Sequence, residues 1–185
     1  MTSKDIIDVE IFKIVSKAIA TSDNVEVMTH HLCQLLVAAL EIKACAIFAL
    51  NPSSKELENI ANFGLSPSYL TKGPVLADKS ISSALMGKPV IIRDISQGKS
   101  LQYPDEAQRE GIAAILSIPI PFSSEVLGVL RLYHQNVWDI SDRDVDSLLV
   151  LAEHIGLSLR YTRLLNALQS IQQAIQDLPL ELTPI

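Results

Sequence analysis

Residues 123–138 read SSEVLGVLRLYHQNVW, and residues 141–160 read SDRDVDSLLVLAEHIGLSLR. Val126, Leu127, Val129, Leu130, Leu132 and Tyr133 make a β-rich run, with polar Ser123, Ser124 and Glu125 before it and His134, Gln135 and Asn136 after it, which predicts a strand. Ser141 then offers an N-cap with Asp144 three places on. Asp142, Asp144 and Asp146 put negative charge where a helix dipole is positive. Gly156 is a weak helix former, but no proline intervenes before Pro179, so one long helix is predicted from Asp142 up to that proline.

Two apolar stripes run along this helix. Val145, Leu148, Ala152, Ile155 and Leu159 recur at spacings of three and four, enough to cover a sheet. Leu157, Tyr161, Leu164, Leu168, Ile171, Ile175 and Leu178 alternate four and three without a miss, which is the seam of a coiled coil. The helix is therefore expected to serve a domain core first and a partner helix afterwards.

Working outward to the N-terminus, residues 5–20 read as a helix with Ile7, Ile11, Ile14 and Ala18 on one stripe and Phe12, Val15 and Ile19 beside it. Asp23 and Glu26 form a capping pattern for a second helix that ends near Glu41 and turns Val25, Met28, Leu32, Leu35, Leu36 and Ala39 inward. The apolar run ACAIFAL, residues 44–50, suits a strand buried on both faces. After the turn residues Asn51, Pro52, Ser53 and Ser54, residues 56–63 should return as its antiparallel partner. Residues 64–78 read as a loop with one helical turn near 68–70, and 79–86 as a short helix closed by Gly87. A strand follows over 90–92 after Pro89, then a loop over 94–102 and a short helix over 104–110 stopped by Gly111. Residues 113–120 and 126–133 form a hairpin. This order is neither alternating βαβ nor all-β, and implies an α+β fold with an antiparallel sheet.

Leu127-Gly128-Val129-Leu130 in a strand, then Trp138, then Ser141-x-x-Asp144 opening a Leu/Ala-rich helix resemble the C-terminal signature of GAF domains, the small-ligand sensor modules of signalling proteins. Met86-Gly87-Lys88-Pro89-Val90 is similar to the family's passage from helix through G-x-P to strand, and Ile118-Pro119-Ile120 to the x-P-h element of its penultimate strand. The resemblance covers roughly residues 25–165. It implies a GAF-like (profilin-like) central antiparallel sheet flanked by helices, with long terminal helices. The expected parts are an N-terminal helix for a dimer bundle over 1–22, the domain proper over 23–160, and a helical extension with tail over 161–185.

Composition narrows the function. The chain of 185 residues is long enough for one sizeable core, and 48% apolar residues argue against disorder, while no apolar run approaches a membrane span. The start Met1-Thr2-Ser3-Lys4-Asp5 has no secretory pattern, so the cytoplasm is the expected location. A net charge of −6 with scattered Lys and Arg disfavours nucleic acid. Cys33 and Cys45 are too few for a disulfide framework and read as buried thiols. His30, His31 and Cys33 are neighbours on a helix, where adjacent side chains point about 100° apart, so no metal site is expected from them. No nucleophile elbow, Walker loop or His-Glu-x-x-His appears, and the expectation is a non-enzyme with no cofactor that the sequence names.

The resemblance also implies a ligand pocket between one sheet face and the loops and short helices before the last hairpin. It maps onto Phe63, residues 76–84, 90–95 and 103–112, and the final strands. Candidate ligand-binding residues are Phe63, Ser80, Arg93, Asp94, Tyr103, Arg109, Ser117 and Arg131. An Arg in an apolar strand must reach solvent, an acid or an anionic ligand, and for Arg131 all three readings are open. Ser80, Ser82 and Ser83 at a helix start suit either capping or an anion. The cysteine set of the family's free methionine sulfoxide reductases is not matched, no cysteine after Cys45 is available for bilin attachment, and the Asn-Lys-x-Phe-Asp-Glu string of cyclic-nucleotide binders is missing. The expected module binds an unidentified small molecule and works as a homodimer through the seam Ile7, Ile11, Ile14, Leu157, Tyr161, Leu164, Leu168, Ile171 and Ile175, with a signalling protein as a further partner. The alternatives are a ligand-free dimerisation module and a cysteine-dependent reductase. Nucleic acid and membrane are not expected partners.

Overall fold

Short polar side chains start the first two helices of the computed structural model, which describes residues 6–21, 24–97 and 101–177, the side chains of Lys79 and Ser80 excepted. Asp8 accepts from the Ile11 N–H at 2.9 Å and opens α1 (Val9–Ala20). Asn24 accepts from Glu26 and Val27 N–H and opens α2 (Val25–Leu40), which stops where Glu41 turns left-handed at φ 51°. The helix expected from residue 5 thus begins later, because the N–H groups of Ile6 and Ile7 are held by the Asp144 carboxylate instead of entering a helix. Asp5 and Asp23 lie outside the described residues.

β1 (Ala44–Leu50) and β2 (Glu56–Phe63) form a hairpin whose turn is closed by Asn51 accepting from Ser53 and Ser54 N–H. α3 (Pro67–Leu70) is a single turn capped by Ser66, and a two-residue strand, β3 (Val75–Leu76), pairs with the start of β2. The short helix expected over 79–86 is two turns, α4 (Ala77–Ser80) and α5 (Ser82–Leu85), broken at Ile81, which is buried and leaves helical geometry at φ −148°. β4 (Val90–Ile92), α6 (Pro104–Arg109), β5 (Ala114–Phe122) and β6 (Glu125–His134) follow, then α7 (Asp142–Gln176). The last hairpin is longer than its sequence suggests: Pro121 and Phe122 stay in the strand beyond an irregularity at Ile120, leaving Ser123 and Ser124 as the turn. Pro119 and Pro121 lie past the end of β4, where β5 has β6 alone as a hydrogen-bonded neighbour, so their missing N–H groups cost no ladder bond to β4.

The strands form one antiparallel sheet in the order β3-β2-β1-β6-β5-β4. α1, α2 and α7 cover one face: Val15, Ile19, Leu32, Leu36, Leu148, Ile155 and Leu159 pack on Cys45, Ile47, Leu116, Ile118, Leu130 and Leu132. The short helices cover the other, where Tyr69, Ala77, Ile81, Ala84 and Ala107 meet Ala44, Ala46, Phe48, Ile115, Val129 and Tyr133. β1 is therefore buried on both sides, as its unbroken apolar run implies. α7 lies close on β5 because Gly156 has no side chain: a Cβ there would stand 2.0 Å from the Pro121 carbonyl oxygen.

Beyond the sheet α7 continues into solvent. Leu157, Tyr161, Leu164, Leu168, Ile171 and Ile175 are 53% to 61% exposed. Leu178, at the end of the expected seam, lies outside the described residues. The N-terminal half of the expected seam needs correction: Ile7 is only 4% exposed and belongs to the helix-side core, and Ile11 is packed against that core, leaving Ile14 at 54% exposure. Tethering of the segment before α1 to the start of α7 turns Ile7 inward.

Candidate functional site

Antiparallel pairing sets two rows of side chains across the face under the short helices. One row is Ala46, Arg131, Ser117 and Val90; the next is Ala44, Tyr133, Ile115 and Ile92. Paired residues share a face, so Arg131 and Tyr133, two apart on β6, point the same way. Arg131 is 3% exposed, and its Nε donates to the equally buried Ser117 hydroxyl at 3.1 Å.

Tyr69 of α3 stands edge-on over Tyr133, ring centroids 5.9 Å apart at 86°. The next turn brings Lys72 back over Tyr69: its Nζ is 3.8 Å from the ring centroid, donates to the Tyr69 carbonyl at 2.9 Å and lies 5.8 Å from the Tyr103 ring. Tyr103 and Gln102 fasten this strap. The Tyr103 hydroxyl donates to Pro74 O at 2.8 Å, and Gln102 accepts from Leu76 N–H while donating to Pro74 O. Gly73, at φ 128°, is required there, since a Cβ would come within 2.8 Å of the Tyr103 oxygen. On the outer side Glu110 accepts from the Ser66 N–H and the Ser66 hydroxyl, and Glu106 pairs with Arg109. A small cavity of about 110 Å³ lies between Ser68, Tyr69, Glu106, Arg109 and Glu110.

The electrostatics follow from burial. Lys72 is pushed down to about 8, first by desolvation and then by the nearby Arg131 charge, with Glu106 and Glu110 opposing. Burial raises the Tyr69 hydroxyl, with the Tyr133 hydroxyl adding to it. Burial raises the Tyr133 hydroxyl as well, against the pull of the Arg131 guanidinium. That guanidinium opposes the rise first through its charge and then through its close approach to the hydroxyl, and among the described residues the buried Tyr133 oxygen makes no hydrogen bond of normal geometry.

Of the eight candidate residues, Ser117 and Arg131 meet directly, Tyr103 fastens the strap beside them, and Arg109 reaches the outer cavity. Three do not join the cluster. Phe63 pairs with Cys45, whose side chain faces the helical layer, so Phe63 is on that side and exposed. Arg93 is one residue beyond Ile92 and swings away to Asp139 at 3.2 Å, while its carbonyl accepts from Trp138 N–H. Asp94 closes its own turn, its carboxylate held below the usual range first by the Ser96 hydroxyl and then by the Ser96 N–H. The Ser80 side chain lies outside the described residues. Tyr133 was legible from its two-residue spacing to Arg131; Tyr69 and Lys72 come from a turn that carries no sequence signal for the site.

Both cysteines lie in the helix-side core, on the opposite side of the sheet. Burial pushes the Cys45 thiol up, and contact with Cys33 adds to it. Among the described residues no three His, Cys, Asp or Glu side chains gather as a metal site, and no helix is long and apolar enough to cross a membrane. On the helical side a groove of about 550 Å³ runs between Asn24, Val25, Glu26 and Thr29 of the α2 start, Ile60, and Leu159, Thr162, Arg163 and Asn166 of α7.

A curled antiparallel sheet with three long helices on one face and short capping helices on the other defines a GAF-type module. The sequence profile of the GAF domain family matches residues 22–160, and the chain belongs to that family. Solved structures agree in fold. The GAF domain of a phosphoenolpyruvate-protein phosphotransferase from Coxiella burnetii superposes with a TM-score of 0.77 at 19% identity, over 86% of this chain and 96% of that one. The free methionine-R-sulfoxide reductase of Neisseria meningitidis, in complex with its substrate, gives 0.72 at 13% identity over 88% and 97%. A far-red absorbing dark state with bound biliverdin IXa gives 0.69 at 12% over 83% and 99%. Among curated proteins none matches the chain significantly.

Proposed function

We propose that this chain is a regulatory GAF-type module that binds a small molecule on the sheet face beneath α3–α6 and passes the event to a homodimeric helical bundle built on α7. The observation that carries the reading is the buried Arg131–Ser117 pair beside Lys72, Tyr69 and Tyr133. A fold held by apolar packing gains little from a desolvated guanidinium in mid-sheet, whereas a binding site uses one for orientation. The neighbours with bound substrate and bound biliverdin illustrate that this fold accommodates small molecules. α7 links the two activities, because its first half packs on β5 and its second half carries the exposed seam.

The reductase alternative is disfavoured by the burial of both thiols on the opposite side of the sheet from Arg131. The ligand-free dimerisation module draws support from the packing of Tyr69, Tyr133, Phe48 and Ile81 against one another on the site face. A cytoplasmic location and a downstream signalling protein complete the proposal. Mass spectrometry of small molecules released from natively purified protein tests it. A stoichiometric companion that also raises Tm on re-addition is expected, since a ligand specific for the folded state stabilises by RT ln(1 + [L]/Kd). Protein that carries nothing and responds to no compound in a metabolite screen would leave the dimerisation module as the function.

A further inference from the structure

Resting on the sensor reading above, we infer that the ligand carries a small anionic group, a carboxylate or a phosphate, held by the Lys72 ammonium, the Arg131 guanidinium and the Tyr133 hydroxyl. Three independent observations converge on it.

The first is the Tyr133 oxygen, fully buried and without a hydrogen-bond partner among the described residues. A buried unmade hydrogen bond costs about 1–3 kcal/mol, and Phe would fill the same space without it. The hydroxyl is accounted for by an acceptor that arrives with the ligand. The second is the direction of Lys72. A lysine beside a surface turn ordinarily carries its ammonium to water, but this one folds inward onto Tyr69, on the same face as Arg131. The third is the balance of charge. The acids closest to Lys72, Glu106 and Glu110, are engaged by Arg109 and by Ser66, with Lys43 also 4.0 Å from Glu110. Two cations thus share a desolvated face in a chain whose net charge is −6, so the spot is not general basicity. Their mutual repulsion helps lower Lys72, and an anion between them relieves it. Lys72 is the half-exposed member of the set and marks the side of entry.

The test uses the full chain with sodium acetate, methyl phosphate and inorganic phosphate against sodium chloride at matched ionic strength. Thermal shift and calorimetry are read for wild type, Lys72→Met and Tyr133→Phe. A saturable response to acetate alone assigns a carboxylate, and one to the phosphates alone assigns a phosphate. In either case affinity should fall on the order of tenfold in Lys72→Met, as expected for loss of a charge-assisted hydrogen bond. Tyr133→Phe should bind more weakly while its anion-free Tm equals or exceeds that of wild type, which separates a binding role from a structural one. Wild-type affinity should also drop between pH 7 and 9 as Lys72 loses its proton, in surroundings of Arg131, Glu106, Glu110, Tyr69, Tyr103 and Tyr133, and Lys72→Met should lack that drop. No saturable response to any of these anions, or an equal response in both variants, overturns the inference. A neutral co-purifying ligand that binds Lys72→Met as tightly as wild type would overturn it while leaving the sensor function standing.

Discussion

The carboxylate of Asp144, at the third position of α7, accepts the Ile7 backbone N–H at 2.7 Å, across 137 residues of chain, and takes the Ile6 N–H at 3.0 Å as well. In a capping box this side chain would turn back to the N-cap N–H of its own helix. Here Ser141 caps Asp144 N–H from one side while the carboxylate reaches out and anchors the N-terminal segment. Asp144 is 1% exposed, so its loss would strand two backbone donors near the core. Asp144→Ala is expected to destabilise by about 2–3 kcal/mol in urea unfolding. Hydrogen exchange at Ile6 and Ile7 should accelerate ahead of the sheet amides. Unchanged protection there would show that α1 is held by packing alone.

Gly156 makes a second long-range device testable by one methyl group. On helix propensity Gly→Ala should stabilise α7 by about 1 kcal/mol. The Pro121 carbonyl oxygen 2.0 Å from the added carbon is backbone and cannot rotate away. Overpacking of this kind costs about 1–3 kcal/mol, so Gly156→Ala should be net destabilising. A higher Tm for the variant would mean that α7 and β5 separate easily.

Lys72 predicts a pH dependence of defined sign. Its folded pKa of about 8 lies below the unfolded value of 10.5, so between these the unfolded chain binds more protons and the Lys72 contribution to stability rises with pH. The raised Cys45, Tyr69 and Tyr133 groups act in the opposite sense at higher pH, because there the unfolded chain loses protons first. The difference between variant and wild type isolates the lysine. Any Tm advantage of Lys72→Met over wild type should shrink from pH 7 to pH 9.5. An advantage that stays constant over that range would place the ammonium in water.

The seam on α7 makes the oligomeric state a direct test. Leu164, Leu168, Ile171 and Ile175 lie beyond the sheet, and an apolar stripe of that length is seldom left in water. Wild type should sediment as a dimer at micromolar concentration, and Leu168→Glu with Ile171→Glu as a folded monomer. His154, edge-on to Phe12 at 6.4 Å, lies against α1, so the α1–α7 contact continues the same surface. A monomeric wild type would remove dimerisation from the proposed function.

Periodicity and punctuation in the chain determined the strands over 44–50, 56–63 and 90–92, the long helix after Ser141, its two stripes and the membership of the GAF family, because each depends on residues near one another in sequence. The Arg131 site was half legible. An arginine in an apolar strand announces itself, and Ser117 stands opposite it in the neighbouring strand. Tertiary structure alone decided which face each candidate joined. Strand pairing and chain direction after the strand end turned Phe63 and Arg93 away, while a single helical turn brought Tyr69 and Lys72 over Tyr133 and Arg131. It also decided that Ile7 is core rather than seam, through a hydrogen bond to Asp144 that spans nearly the whole domain. Local pattern fixes which side of an element is apolar; contact between elements far apart in the chain fixes what each polar residue meets.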